Sequence, residues 1–202
     1  MCSKYVRQNH ICYVEKADYP KYKQAMKYIF YDFECTQDTG IHIPNLVVAK
    51  WSCSDCLDNE AKLSKIKDQD EDELKQMYVS KINNCSLCAA DPKKRDIMFE
   101  GDKCTSAFCA WLFSEPNHGC TFLGHNAANY DSYFILKYLV DNGIAPINVI
   151  RTGGKIRQFV EPNTNCRMID SLSFLPMALA KLPKAFGFTG MKKGYFPFFN
   201  KK

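Results

Sequence analysis

The stretch from Tyr28 to Glu34 constrains the fold more than any other, because Tyr28, Ile29, Phe30, Tyr31 and Phe33 leave only Asp32 and Glu34 polar. β-branched and aromatic residues at this density predict a strand, and a strand apolar on both faces belongs in the middle of a sheet. Side chains two apart on a strand point to one face, so the carboxylates of Asp32 and Glu34 converge while Phe33 points away. Two readings follow. Either the acids hold a divalent cation that offsets the cost of placing charge beside an apolar strand, or the strand end emerges and both are solvated.

Around this strand the pattern alternates. Thr36 to Gly40 is rich in turn formers, and Asn45 to Trp51 reads as the return strand of a hairpin, with Pro44 tolerable at its entry. From Asp55 to Asn84 Lys, Asp and Glu dominate, which predicts an exposed, helical insertion. A strand at Ile97 to Phe99 follows, then a helix with Asp102 as N-cap running to Phe113, with Ala107, Phe108, Trp111 and Leu112 on one face. Cys120 to Leu123 reads as a short strand and Tyr130 to Asn142 as an amphipathic helix that Gly143 ends in the left-handed conformation. Strands are expected at Ile147 to Arg151, Lys155 to Val160 and Cys166 to Ile169, and a short helix opening at Pro176 and limited by Pro183 and Gly187. This order describes an α/β domain: a mixed sheet with flanking helices.

Two further constellations carry chemistry. From Gly124 to Asp131 a strand ends, a loop turns and a helix begins, which places Asp131 beside the crevice at the strand ends where α/β sheets bind ligands. Its alternative role is N-capping, and His125 alone reads as a satisfied core or loop histidine. The eleven cysteines are odd in number and no apolar export segment precedes them, so they are expected to be reduced thiols of an intracellular protein. Cys53 with Cys56, and Cys85 with Cys88, each leave the two-residue gap that lets both sulfurs reach one tetrahedral zinc, although 28 residues (57–84) part the pairs. Such a zinc would staple the insertion (53–88) and leave no open position for catalysis. No apolar run approaches the roughly 20 residues that cross a bilayer, so no membrane partner is expected. The formal charge of +5 is compatible with a polyanionic partner without identifying one.

Asp32-Phe33-Glu34, and Asn126 followed by Tyr130-Asp131, resemble the first two exonuclease motifs of family B DNA polymerases. Asp170 to Pro176, with Ser171-Leu172 followed by Leu175, looks like the S/T-L-x-x-h single-strand-binding motif of the protein-primed branch, and Lys193 to Phe196 is similar to its lysine motif. The cysteine-paired insertion is similar to that of polymerases from Maverick or Polinton elements and their viral relatives. The resemblance implies a ribonuclease H-like 3′-to-5′ exonuclease domain over 27–202 behind an N-terminal extension, 1–26. It implies Asp32, Glu34 and Asp131 as catalytic ligands of two Mg²⁺ or Mn²⁺ ions, and Asn126, Tyr130, Ser171, Leu172 and Lys193 as contacts to a single-stranded DNA 3′ end. A terminal priming protein is a further implied partner, and the nucleus or a cytoplasmic site of viral replication the implied location. The family's third motif, Y-x-x-x-D, and its polymerase domain are not found in these 202 residues, so a truncated domain with severely reduced turnover is expected. Two alternatives stay open: a catalytically inactive zinc-containing module that binds single-stranded DNA, and a stand-alone nuclease of the same fold acting on RNA.

Overall fold

The computed structural model describes residues 26–36, 40–66, 72–88 and 95–188. The N-terminal extension and the Lys193 segment, apart from Met26, lie outside the described residues. The described chain runs β1 (Lys27–Thr36), β2 (Ile43–Cys53), α1 (Ser54–Leu63), α2 (Asp72–Asn83), β3 (Asp96–Glu100), α3 (Cys104–Leu112), β4 (Thr121–Gly124), α4 (Asp131–Asp141), β5 (Ile147–Thr152), β6 (Lys155–Glu161), β7 (Cys166–Asp170) and α5 (Leu182–Ala185). The strands form one seven-stranded mixed sheet in the order β3-β2-β1-β4-β7-β6-β5. β1 pairs antiparallel with β2 and parallel with β4, so the apolar strand has a neighbour on each side, as its composition requires. No described helix is long and apolar enough to cross a membrane.

Alternation along β1 sorts its side chains between two faces. Ile29, Tyr31 and Phe33 join Val47 and Ala49 of β2 in a core completed by Phe108 and Leu112 of α3, Phe122 of β4 and Ile135 and Leu139 of α4. Phe108 receives the edge of Phe33 at a centroid distance of 5.6 Å, and Phe122 packs on Phe159 at 5.8 Å. Asp32 and Glu34 therefore emerge on the opposite face.

Three local expectations need correction. The helix after β3 starts at Cys104, with Lys103 and not Asp102 at its N-cap, because Gly101 turns the chain at φ +81° and Cys104 N–H closes that turn on the Gly101 carbonyl at 3.0 Å. Its buried residues are Cys104, Phe108, Cys109 and Leu112, leaving Ala107 exposed. Pro176 opens no helix. Ala178 stays extended, and Pro183 lies in the first turn of α5, where a missing N–H is tolerated, so it starts the helix instead of limiting it. Gly143 does end α4 with φ +71°, its N–H on the Val140 carbonyl and that of Ile144 on the Leu139 carbonyl.

Gly124, the last residue of β4, has no room for a side chain. A Cβ there would lie 2.8 Å from the Ala127 Cβ and 3.0 Å from Tyr31 Cζ, both buried. Gly124→Ala is expected to cost about 1–3 kcal/mol of stability through overpacking, measured by urea denaturation; an unchanged midpoint would mean that the junction can relax.

Candidate functional site: an acidic cleft and a four-cysteine cluster

The site begins where two neighbouring strands differ in length. β4 is four residues long and its pairing to β1 extends only to Phe30↔Leu123, while β1 continues to Thr36. Past Phe30 the β4-facing edge of β1 is open, and α4 enters the space. Asp131, the first residue of α4, is 5% exposed, and the backbone N–H groups of Phe33 and of Asp131 itself lie near enough to its carboxylate to favour the charged form. Its carboxylate thus faces the central strand. Burial, and then the negative charge of Asp32, push Asp131 up to about 7.

Asp32 lines a cleft of about 490 Å³ together with Tyr31, His125, Asn126, Leu172, Ala178 and Leu179. Glu34 is half-buried on the same face, beside an irregularity in the β1–β2 register between Glu34 and Cys35. There Asn45 is the extra residue on β2, and its carbonyl is taken by the Gly101 N–H at 2.9 Å. Such bulges re-aim strand ends and are frequent beside functional sites.

His125 is the latch that builds the cleft's far wall. One ring nitrogen lies 3.0 Å from Ser171 Oγ and the other 2.9 Å from the Met177 carbonyl, while Ser171 Oγ also lies 3.3 Å from the Gly124 carbonyl. Because a carbonyl only accepts, Nε2 carries a proton. The histidine is a satisfied loop residue, and satisfying it brings Leu172 and Leu179 into the cleft. Asp170 is fully buried: it pairs with Arg157 at 3.2 Å and caps the turn at Ser171–Ser173 by accepting from the Leu172 N–H at 3.1 Å. It is thus the structural neighbour of Ser171 that its position suggests.

Asn126 adopts the left-handed conformation, φ +67°, which lets the chain turn sharply between β4 and α4, and its side-chain carbonyl accepts from Asn129 Nδ2. Tyr130 is half-buried against Phe134, and its hydroxyl meets His42 Nδ1 at 2.5 Å. Sequence reasoning had no access to His42, because the pair is 88 residues apart and no local pattern marks it. It likewise passed over the Tyr31 hydroxyl, which is buried without a hydrogen-bond partner among the described residues.

The acidic site fits a hard divalent cation by its chemistry. Oxygen donors are supplied from β1 and α4, and Asp131 is held up by burial and by a like charge, both of which a cation would offset. The carboxylates are not gathered as tightly as the thiols. Among the described residues, the group of three or more metal-ligating side chains brought together is Cys53, Cys56, Cys85 and Cys88, whose sulfurs all lie within 4.8 Å of one another. Cys53 and Cys85 are 3.7 Å apart, which is about the edge of a tetrahedron with Zn–S bonds of about 2.3 Å. Burial pushes the Cys56 thiol up to about 12 and raises Cys88 as well, so these thiols stay protonated until a cation draws the protons off. The soft donor set fits zinc.

Three comparisons bear on this architecture. Residues 115–202 match the family described as DNA polymerase type B, organellar and viral. A probable DNA polymerase of Ascobolus immersus is 37% identical over 94 residues, which make up 43% of this chain and 8% of that protein. Two structures of phi29 DNA polymerase, a ternary complex with primer-template DNA and incoming nucleotide and a post-translocation complex with primer-template DNA, superimpose over 88% of this chain and 26% of theirs. Their TM-scores are 0.53 and 0.52, at 15% and 16% identity. The last likeness is one of fold alone, and it extends over a larger share of the chain than the sequence match does. The sequence likeness over residues 115–202 is to DNA polymerases of the organellar and viral type B, and the likeness of fold is to a phage DNA polymerase. The chain spans only a small part of the length of these relatives.

The raised Asp131 makes stability depend on pH. Between about pH 4 and pH 7 the native state keeps a proton on Asp131 that the unfolded chain has released, so stability falls as pH rises through that window. In metal-free buffer Asp131→Asn is expected to be more stable than the parent at pH 8, on the order of 2–4 kcal/mol, and equal to it near pH 4. Parallel denaturation profiles at the two pH values would contradict the burial argument.

Proposed function

We propose that this chain is the 3′-to-5′ exonuclease domain of a protein-primed family B DNA polymerase, acting on single-stranded DNA 3′ ends. The observation that carries the reading is the burial of Asp131 against the open edge of β1, within electrostatic reach of Asp32, which itself lines a cleft with Asn126 and Leu172. The sequence match over 115–202 and the fold likeness to a phage polymerase bound to primer-template DNA support the family and the partner.

In this reading Asp32, Glu34 and Asp131 hold two Mg²⁺ or Mn²⁺ ions. When bound, they supply the charge that activates water and stabilises the leaving 3′ oxygen. The chain's own residues position the DNA. Tyr130, steadied by His42, and Leu172 bear on the unpaired terminal bases by stacking and apolar contact, which is tolerant of sequence. Ser171 and Asn126 contact the terminal nucleotide, and His125 holds Ser171 in place for that task. Lys193, near the scissile phosphate in the family's pattern, lies outside the described residues. Zinc in the four-cysteine cluster is structural, and a terminal priming protein and an intracellular replication site, nuclear or viral, belong to the same proposal.

The second reading, an inactive zinc-containing module that grips single-stranded DNA, uses the same Asn126, Tyr130 and Ser171 together with basic residues and needs no metal at the acids. A 3′-strand assay separates the two. With Mg²⁺ or Mn²⁺ the chain is expected to shorten a 5′-labelled single-stranded DNA from its 3′ end, and Asp32→Ala with Glu34→Ala to lower the rate by about two orders of magnitude or more. Folded protein that leaves the strand intact yet binds it equally with and without magnesium would favour the inactive module.

A further inference from the structure

The insertion leaves the sheet and rejoins it at one place. Cys53 is the last residue of β2, and Arg95 immediately precedes β3, whose pairing with β2 begins at Lys50↔Asp96. The thiol of Cys53 therefore belongs to the sheet, while Cys56 lies in the first turn of α1 and Cys85 and Cys88 follow α2. Closing the four-sulfur cluster draws the exit strand and both helices to one point.

Arg95 stands at the return side of that neck and is 3% exposed. One guanidinium nitrogen, Nη1, donates to Cys56 Sγ at 3.7 Å, and the other, Nη2, donates to the Ile82 carbonyl in the last turn of α2. A planar fork with several fixed donors can bridge two elements in this way, whereas an ammonium is a single point charge. Four thiolates around one divalent cation carry a net charge of −2, and burying that charge is costly without nearby donors and positive charge. The Arg95 guanidinium supplies both against a ligand sulfur.

We propose that Arg95 is the positioning residue of the four-cysteine centre, orienting Cys56 and coupling cation binding there to closure of the β2–β3 neck. The proposal rests on the reading of the cluster as a zinc site. It gives the insertion's metal a defined mechanical output: zinc loading fixes the edge strand β3, next to β2 and one strand away from the strand that carries Asp32 and Glu34.

The test uses the full chain, stripped of metal and reloaded. Zinc affinity is measured by competition with a chromophoric chelator, thiolate ligation by the charge-transfer absorption of the Co²⁺ form, and neck closure by amide exchange at Ile97 to Phe99. The parent chain is expected to bind one zinc and to slow exchange in β3 when it does. Arg95→Met is expected to bind zinc about 10- to 100-fold more weakly, to keep a four-thiolate cobalt spectrum, and to lose the zinc-dependent protection of β3. Arg95→Lys, which keeps the charge but not the fork, tests the idea should the methionine variant fail to fold. It too is expected to lose zinc-dependent β3 protection, with a smaller loss of affinity. Parent-like affinity together with parent-like β3 protection in either folded variant would overturn the proposal. A parent chain that takes up no zinc would instead overturn the zinc reading itself, and that result is visible before any variant is made.

Discussion

The acidic cleft depends on a mismatch between two paired strands. β1 continues for six residues past Phe30, the last to pair with β4, and a free strand edge beside a core must find hydrogen-bond partners. The Asp131 carboxylate lies against that edge, where the Phe33 N–H favours its charged form. A carboxylate is thereby buried within electrostatic reach of Asp32, in the crevice beyond the end of β4. The open edge of β1 thus concentrates negative charge there, which is the arrangement that the proposed function assigns to a cation.

Aromatic packing beneath the cleft keeps that geometry stiff. Tyr31 contacts Phe33, Phe108 and Phe122, with ring centroids 5.6–6.0 Å apart, and its ring tip lies over Gly124. The residue before Asp32 and the last residue of β4 therefore fix each other's position. On the solvent side His125 ties the loop after Gly124 to Ser171 and Met177, so both walls of the cleft are referenced to the end of β4. Precision at the site comes from two short strand ends and a buried ring, with the loops held to them.

The two candidate metal sites separate by donor softness and by place. Oxygen donors gather at the open end of the central strands, where a cleft gives access, and thiols gather at the neck of the insertion, largely buried. Hard and soft ligand sets of this kind do not compete for the same ion. Four sulfurs around one ion would also leave no open coordination position, so in the proposed zinc reading that site only holds the chain together.

Periodicity and spacing made much of this legible. The apolar run with acids at 32 and 34 placed β1 centrally and its carboxylates on one face, because side-chain direction in a strand is set locally. The two-residue gaps of the cysteine pairs anticipated a shared cluster for the same reason. Helix limits near proline were misread at Pro176 and Pro183, where a captured carbonyl at Met177 and the tolerance of a first turn overrode the local rule. Partners far apart in the chain were not legible: His42 with Tyr130, His125 with Ser171 and Met177, Arg157 with Asp170, and Arg95 with Cys56. The sequence by itself determined the alternation of side chains along β1 and the pairing of the cysteines by spacing, since both follow from backbone geometry over a few residues. Only the tertiary structure decided which charges and hydrogen-bonding groups face one another, and so which carboxylate is held near neutrality, because those contacts depend on how elements of unequal length meet.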